Sequence, residues 1–511
     1  MRFIKLVLAI SVAALDGCGG GGGGSTPPIP SAKAPTVNIS LSAAKVAVNV
    51  PVTVTWASTD ATSCVGSDAL PAAQPVNGNA SVTQSAGGQY TYTITCTGAG
   101  GSATAKAASI VPMKVFATSY ENAKRILLAD PNLPRPIDVG IQATPTTSAY
   151  PWFQGGSGAF ADFFQEGAYS AVVQLTQWKD SNTSVPVNAP SRIYFLRKDA
   201  SGKWNDATSQ LLSDTAGCIS PRKAVVADFN ADGKPDVFYA CHGYDGDPSD
   251  PGHPPFGDNQ RLLLSQPDGT YKNIKLPFVA YGHNATAADL NGDGLADVVV
   301  TNTSGQGTGP YDNPLAVTNA VPFVLINVGN GSFQLDLTRL PKAANTDVGT
   351  LQYFGIYGVE LIDTRNDGKP DLFIGGIPEV YASGWAAATR NGVMYNDGAG
   401  NFNAKPMDFF PVVQHSSGKY FGGALDFVFD NGYIYYHHEV VGATVPEIAV
   451  RKIKLSDSTS STVYTHVGPY VDGQPWPVWL RPDSKGNITS REIGCIYPIS
   501  SNSTCAVSFP K

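Results

Sequence analysis

Three stretches of nine residues carry most of the chemistry this chain offers. They are Asp228-Phe229-Asn230-Ala231-Asp232-Gly233-Lys234-Pro235-Asp236, Asp289-Leu290-Asn291-Gly292-Asp293-Gly294-Leu295-Ala296-Asp297 and Asp363-Thr364-Arg365-Asn366-Asp367-Gly368-Lys369-Pro370-Asp371. Oxygen-bearing side chains at the first, third and fifth positions of a tight loop converge on one hard cation. The glycine at the sixth takes the turn, and a carbonyl at the seventh adds a ligand. That is calcium chemistry. The expected ligands are Asp228, Asn230, Asp232, the Lys234 carbonyl and Asp236 in loop one. In loop two they are Asp289, Asn291, Asp293, the Leu295 carbonyl and Asp297, and in loop three Asp363, Asp367, the Lys369 carbonyl and Asp371. An EF-hand would have Glu at its twelfth position, where these loops reach Tyr239, Val300 and Ile374. The competing reading, Asx-rich turns with no metal, explains Asp-Gly but not an oxygen at every alternate position. Arg365 brings a cation to a ligand position, so two structural calcium sites are expected. Loop three either binds poorly or keeps only its turn shape.

The segments around the loops must be strands. Val237-Phe238-Tyr239-Ala240, Val298-Val299-Val300-Thr301 and Leu372-Phe373-Ile374 follow them, and Ala224 to Ala227 and Val359 to Ile362 precede loops one and three. These runs are rich in β-branched and aromatic residues, so each unit reads as strand, loop, strand. A fourth, eroded copy starts at Asp426 and keeps Asn431-Gly432 without the ligand set. A second phrase recurs between the loops, an apolar strand, a Gly-rich turn and an aromatic: Ile193 to Trp204, Leu262 to Tyr271, Val324 to Phe333 and Val393 to Phe402.

With loop starts roughly 60 to 75 residues apart, the pattern implies an array of units that pack on their neighbours. These motifs resemble the FG-GAP/VCBS repeat family, the calcium-loop β-propellers also seen in integrin α-subunit heads. The resemblance spans 114–511, most clearly 167–432, and implies four-stranded blades around a channel. Seven blades are expected, six being the alternative. The first is placed near Tyr120 to Phe164 and the last near Val463 to Lys511, both without the metal loop.

Upstream, Arg2 and Lys5 precede the apolar run Leu6 to Leu15, too short to span a bilayer and read as a signal peptide over 1–18. Leu15-Asp16-Gly17-Cys18 resembles a bacterial lipobox, which implies lipidation at Cys18 and attachment to the outer membrane or cell surface of a Gram-negative bacterium. The alternative is an ordinary cleaved signal. Gly19 to Gly24 and the Pro-rich stretch to residue 35 form a tether. Seven cysteines leave an even number once Cys18 is set aside, and the expected bridges are Cys64 to Cys96, Cys218 to Cys241 and Cys495 to Cys505. Residues 36–113 read as alternating strands with Trp56, Cys64 and Cys96, resembling an Ig-like β-sandwich. Trp56 precedes both cysteines, so the topology is not simply an antibody domain's. The fold class is therefore all-β, an Ig-like sandwich followed by a propeller.

With 15% charged residues, a net charge of −7 and no basic cluster, nothing recommends nucleic acid as a partner. The chain has no G-x-S-x-G elbow, H-E-x-x-H helix or phosphate loop, and no catalytic residue is assigned. His437-His438-Glu439 lies in a strand run, where adjacent imidazoles face opposite sides. Trp152, Trp476 and Trp479 sit beside prolines, where their rings either stack on a ligand or pack between blades. The expected function is a non-enzymatic, membrane-tethered adhesion module for a protein or polysaccharide. A polysaccharide lyase or hydrolase on the same propeller and an outer-membrane assembly scaffold are the alternatives.

Overall fold

The computed structural model describes residues 32–123, 156–175, 190–244, 256–302, 322–341, 356–376, 391–411, 421–422, 427–440, 447–467, 477–482, 488–492 and 507–509. These are almost wholly β, with short helical pieces at 119–123 and Thr208–Leu211. Among them no helix is long and apolar enough to cross a membrane. The chain forms two compact units. One comprises residues up to 42 with 53–81 and 91–107, the other 43–52, 82–90 and 108 onward.

In the smaller unit, β1 (Thr36–Leu41), β2 (Pro51–Thr59) and β5 (Gly78–Thr83) make a sheet in the order β1-β2-β5. A second sheet has β3 (Ser63–Asp68), β4 (Ala73–Gln74), β6 (Gly88–Gly98) and β7 (Gly101–Val111) in the order β4-β3-β6-β7. Period-two patterning buries Val54 and Trp56 of β2 between exposed threonines. Trp56 Nε1 donates to the Pro75 carbonyl at 2.9 Å, which lets a polar indole sit in an apolar interior. Cys64 and Cys96 are register partners on β3 and β6 and are bonded to each other, so this bridge lies within one sheet.

The larger unit repeats a four-stranded antiparallel sheet. The first sheet holds β8 (Gly156–Ala161), β9 (Ser170–Leu175), β10 (Arg192–Lys198) and β11 (Trp204–Asp206). The second holds β12 (Pro221–Ala227), β13 (Asp236–Cys241), β14 (Asp258–Ser265) and β15 (Tyr271–Ala280). The third holds β16 (Gly282–Ala288), β17 (Asp297–Asn302), β18 (Phe323–Gly329) and β19 (Ser332–Asp336). The fourth holds β20 (Ile356–Ile362), β21 (Asp371–Gly376), β22 (Gly392–Met394) and β23 (Asp408–Phe409). A fifth sheet joins β24 (Phe421–Gly422), β25 (Phe427–Asp430), β26 (Tyr433–Val440), β27 (Glu447–Lys454) and β28 (Ser460–Val467). The last joins β29 (Pro477–Pro482), β30 (Ile488–Glu492) and β31 (Val507–Phe509). Six sheets of three to five strands stand in this unit among the described residues. Tyr120 falls in a helical turn, most of the expected first blade lies in 124–155, outside the described residues, and β28 pairs with β27 in the fifth sheet.

The sheets stack face to face, which explains why their strands are apolar without alternation. Val225 and Ala227 of β12, Phe238 and Ala240 of β13 and Leu262 and Leu264 of β14 pack toward the third sheet. Their neighbours Ala224, Val226, Val237, Tyr239, Cys241 and Leu263 pack toward the first. Both faces of the sheet leave water, so both phases of the period are apolar.

The opening strands neighbour one another in series, β8 on β12, β12 on β16, β16 on β20 and β20 on β25. A chain segment, 113–122, runs among them. The Met113 amide donates to Asp162 Oδ2 at 3.0 Å beyond the end of β8, and Asn122 Nδ2 donates to the Val226 carbonyl of β12 at 3.0 Å. Ser119 Oγ accepts the Ala287 amide of β16 at 2.8 Å, and Tyr120 Oη accepts the Phe429 amide of β25 at 2.8 Å. Beside this segment, Lys223 Nζ of β12 meets Glu360 Oε2 of β20 at 3.2 Å, and both side chains are buried. Thr286 of β16 donates to the other Glu360 oxygen at 2.8 Å. Residues 113–122 and this buried polar cluster thus occupy part of the interior between the opening strands, beside a cavity of about 30 Å³ lined by Ser119, Lys223 and Glu360.

Candidate metal centres

The nine-residue loops join the first and second strands of the second, third and fourth sheets, and in each the aspartate side chains accept amides of their own loop; among the described residues no three carboxylates of a loop bring oxygens within 4.8 Å of one another. In loop one Asp228 accepts the Asp232 amide at 3.0 Å and the Gly233 amide at 2.7 Å. Asn230 Oδ1 accepts the Asp232 amide at 3.2 Å, and Asp232 Oδ1 accepts the Lys234 amide at 2.9 Å. The turn needs left-handed backbone at Ala231, φ 57°, and Gly233, φ 81°. Loop two repeats it. Asp289 accepts the Gly292 and Gly294 amides at 2.7 and 2.9 Å, Asn291 accepts Asp293 at 3.0 Å, and Asp293 accepts Leu295 at 2.9 Å.

The ninth-position aspartates are the deepest members. Asp236 accepts the Phe229 amide at 2.7 Å and the Ser265 amide at 2.6 Å, which ties its loop to the end of β14. Asp297 accepts the Leu290 amide at 3.1 Å and the Asn327 amide at 2.8 Å, in the same relation to β18. Burial is the main cause of their raised pKa values, Asp236 to about 7 and Asp297 to about 6, with the neighbouring acids adding to it. Asp228 is raised for the same first reason. Three carboxylates in one small loop are therefore costly to ionise together, and a carboxylate oxygen keeps acceptor capacity beyond one N–H. The donor set, all oxygen and mostly anionic, fits a hard divalent cation such as calcium.

Loop three keeps the fold of the others but not their interior. Asp363 accepts the Asp367 and Gly368 amides at 3.1 and 2.8 Å, and Asp367 Oδ1 accepts Lys369 N at 3.0 Å. Arg365 lies across the loop on Asp371, with Nη2 to Oδ1 at 2.9 Å and Nε to Oδ2 at 3.1 Å. The eroded copy has lost its loop altogether. Asn431, φ 49°, and Gly432, φ 82°, make a two-residue turn that pairs Asp430 with Tyr433.

Residues that support the loops came from the second recurring phrase, to which sequence reasoning gave no role. Ser265 ends β14, Asn327 lies two residues before the end of β18 and Asn396 two beyond the end of β22, and each donates its amide to the ninth-position aspartate, Asn396 to Asp371 at 3.1 Å. Ser265 Oγ also reaches Asp232 Oδ2 at 3.0 Å. The signal was the polar residue closing each tripeptide, Leu262 to Leu264, Val324 to Ile326 and Val393 to Tyr395.

Cys218 and Cys241 are bonded to each other as expected, beside the buried Asp258, whose Oδ2 accepts the Ile219 amide at 2.8 Å. Cys18, Trp152, Trp476, Cys495 and Cys505 lie outside the described residues, as does the acidic stretch Asp245 to His253. Trp479 is on β29, and His437, His438 and Glu439 are successive residues of β26, paired with Val450, Ala449 and Ile448.

No curated protein matches this chain. Solved structures that resemble it are distant. A rhamnogalacturonan lyase of Bacillus licheniformis is 13% identical, with 90% of this chain and 87% of that one covered and a TM-score of 0.31. A quinonprotein alcohol dehydrogenase-like protein of Bacteroides thetaiotaomicron is 8% identical, with 83% and 93% covered and a TM-score of 0.26. An α-L-arabinofuranosidase of Fusarium graminearum is 12% identical, with 72% and 95% covered and a TM-score of 0.34. Within the chain, residues 281–313, which include loop two, match the family described as FG-GAP repeat.

Proposed function

We propose that this chain is an exported, non-enzymatic binding module, a calcium-stabilised β-propeller of the FG-GAP/VCBS type carried on an Ig-like spacer and anchored through lipid at Cys18. The observation that carries the calcium reading is the equivalence of loops one and two. In two consecutive sheets the first-position aspartate accepts the sixth-position glycine amide and the ninth-position aspartate accepts the second-position amide. Asp228, Asn230, Asp232 and Asp236 would hold one ion with the Lys234 carbonyl, and Asp289, Asn291, Asp293 and Asp297 the other with the Leu295 carbonyl. Bound calcium supplies the positive charge that offsets repulsion among these carboxylates.

The strand orders of the smaller unit, β1-β2-β5 and β4-β3-β6-β7, follow the A-B-E and C′-C-F-G layers of an Ig-type sandwich, with the bridge on C and F and the tryptophan on B. That order supports the spacer, and the two disulfides favour an oxidising, extracytoplasmic setting. The polar network and the chain segment among the opening strands direct a protein or polysaccharide ligand to the rims of the propeller and away from its axis.

Replacing Asp232 and Asp293 together by Asn is expected to abolish the rise in melting temperature that calcium gives the wild-type chain, leaving the melt in chelator little changed. An equal calcium response in both proteins would remove the metal assignment. The ligand is sought by retention of the full chain on polysaccharides and matrix proteins, in calcium and in chelator, with cleavage followed in the same samples. Calcium-dependent retention without cleavage is the expected result, and cleavage would replace this reading with a polysaccharide-acting enzyme.

A further inference from the structure

Loops one and three have the same residue at six of their nine positions, the first, fifth, sixth, seventh, eighth and ninth. Their backbones agree as well, left-handed at Asn366, φ 54°, and Gly368, φ 76°, as at Ala231 and Gly233. The second, third and fourth positions differ, and of these only the third is a ligand position, Asn230 in one and Arg365 in the other.

The arginine does not point away from the acids it interrupts. Its guanidinium makes a fork on Asp371, Nη2 to Oδ1 at 2.9 Å and Nε to Oδ2 at 3.1 Å, and Nη1 stands 3.4 Å from Asp367 Oδ2. In loop one the two oxygens of the equivalent Asp236 take backbone amides from Phe229 and Ser265. In loop three the amide at the second position turns instead to the Ile362 carbonyl at 3.0 Å, and the guanidinium takes its place on the carboxylate. A planar, permanently charged group with its donors in a fork is matched to a carboxylate and cannot lose its proton. Asp371 is wholly buried, so this pairing neutralises a charge that would otherwise be left in the interior.

We propose that Arg365 is the resident cation of loop three, a covalently attached charge in the place where loops one and two take a divalent ion. The inference rests on the reading that those two loops bind calcium. It makes the array asymmetric. The second and third sheets depend on dissolved calcium, whereas the fourth carries its own counter-charge and is indifferent to calcium or chelator.

Calcium stoichiometry of the full chain, measured by equilibrium dialysis, tests this. Arg365→Asn restores in loop three the ligand set of loop one, and it is expected to bind one equivalent more than the wild type, three against two. A folded Arg365→Asn protein with no additional equivalent would overturn the proposal, as would three equivalents in the wild type. The wild-type count reports separately on loops one and two. No ion in the wild type but one in Arg365→Asn would sink their assignment and leave that of Arg365 standing. Should the variant not fold, amide exchange in the wild type decides. In chelator the amides of Asp232, Gly233, Gly292 and Gly294 are expected to exchange at least about tenfold faster, while those of Asp367, Gly368 and Asn396 keep their rate. Equal acceleration in all three loops would refute the idea.

Discussion

His242 follows the second strand of the second sheet, buried with its ring 5.4 Å from that of Tyr281 and 5.8 Å from that of His283. Burial, and after it the charge of Arg222, hold its imidazole well below the ordinary value of about 6.5. The unfolded chain therefore takes up a proton that the folded chain refuses. The stability this site contributes is present above about pH 6.5 and is lost as pH falls toward the folded value, by up to about 1.4 kcal/mol per pH unit. The difference in urea-unfolding stability between the wild type and His242→Gln should change with that slope between pH 7.5 and 5, while the raised Asp236 and Asp297 act in the opposite sense and alike in both proteins. An unchanged slope in the variant would assign the acid sensitivity elsewhere. Nothing in the sequence marked this histidine, because its neutrality comes from neighbours at least twenty positions away in the chain. The loop aspartates were legible for the opposite reason, since alternate oxygens and a glycine state their geometry within nine residues.

At the scale of single strands, the informative contact is the one between the third strand and the loop of its own sheet. Asn327, within β18, does this twice. Its amide meets Asp297, and its side chain donates to the Ala296 carbonyl at 3.1 Å and to the Phe229 carbonyl of the preceding sheet at 2.8 Å. Asn327→Ala would leave two buried carbonyls without that donor, a loss of about 1–3 kcal/mol. Guanidinium titration of the chelated protein should show it, together with weaker calcium binding in loop two. A loss below about 0.5 kcal/mol would mean that water replaces the amide. The strands were readable from β-branched and aromatic runs, and the tandem order from loop spacing. The role of Ser265, Asn327 and Asn396 was not, because a polar residue ending an apolar strand reads as an ordinary boundary until the facing loop is known. Asp430 to Tyr433 shows the converse, where the eroded repeat kept only Asn431-Gly432 and the chain answered with the shortest hairpin available.

In the whole molecule, the all-β class and the repetition of sheets followed from the sequence. The use of residues 113–122 did not, since nothing in their sequence marks them as a strut among the opening strands of several sheets. Tyr120 is its most telling residue, with its hydroxyl both accepting the Phe429 amide at 2.8 Å and donating to the Phe429 carbonyl at 3.2 Å. Tyr120→Phe is expected to cost about 1–2 kcal/mol by urea unfolding, and an unchanged midpoint would show that the strut does not bear on the fold. Its contacts reach the first, second, third and fifth sheets. A pull on the chain ahead of Met113 would therefore load four sheets in parallel instead of peeling one from the edge, which gives the larger unit the mechanical character of a rivet.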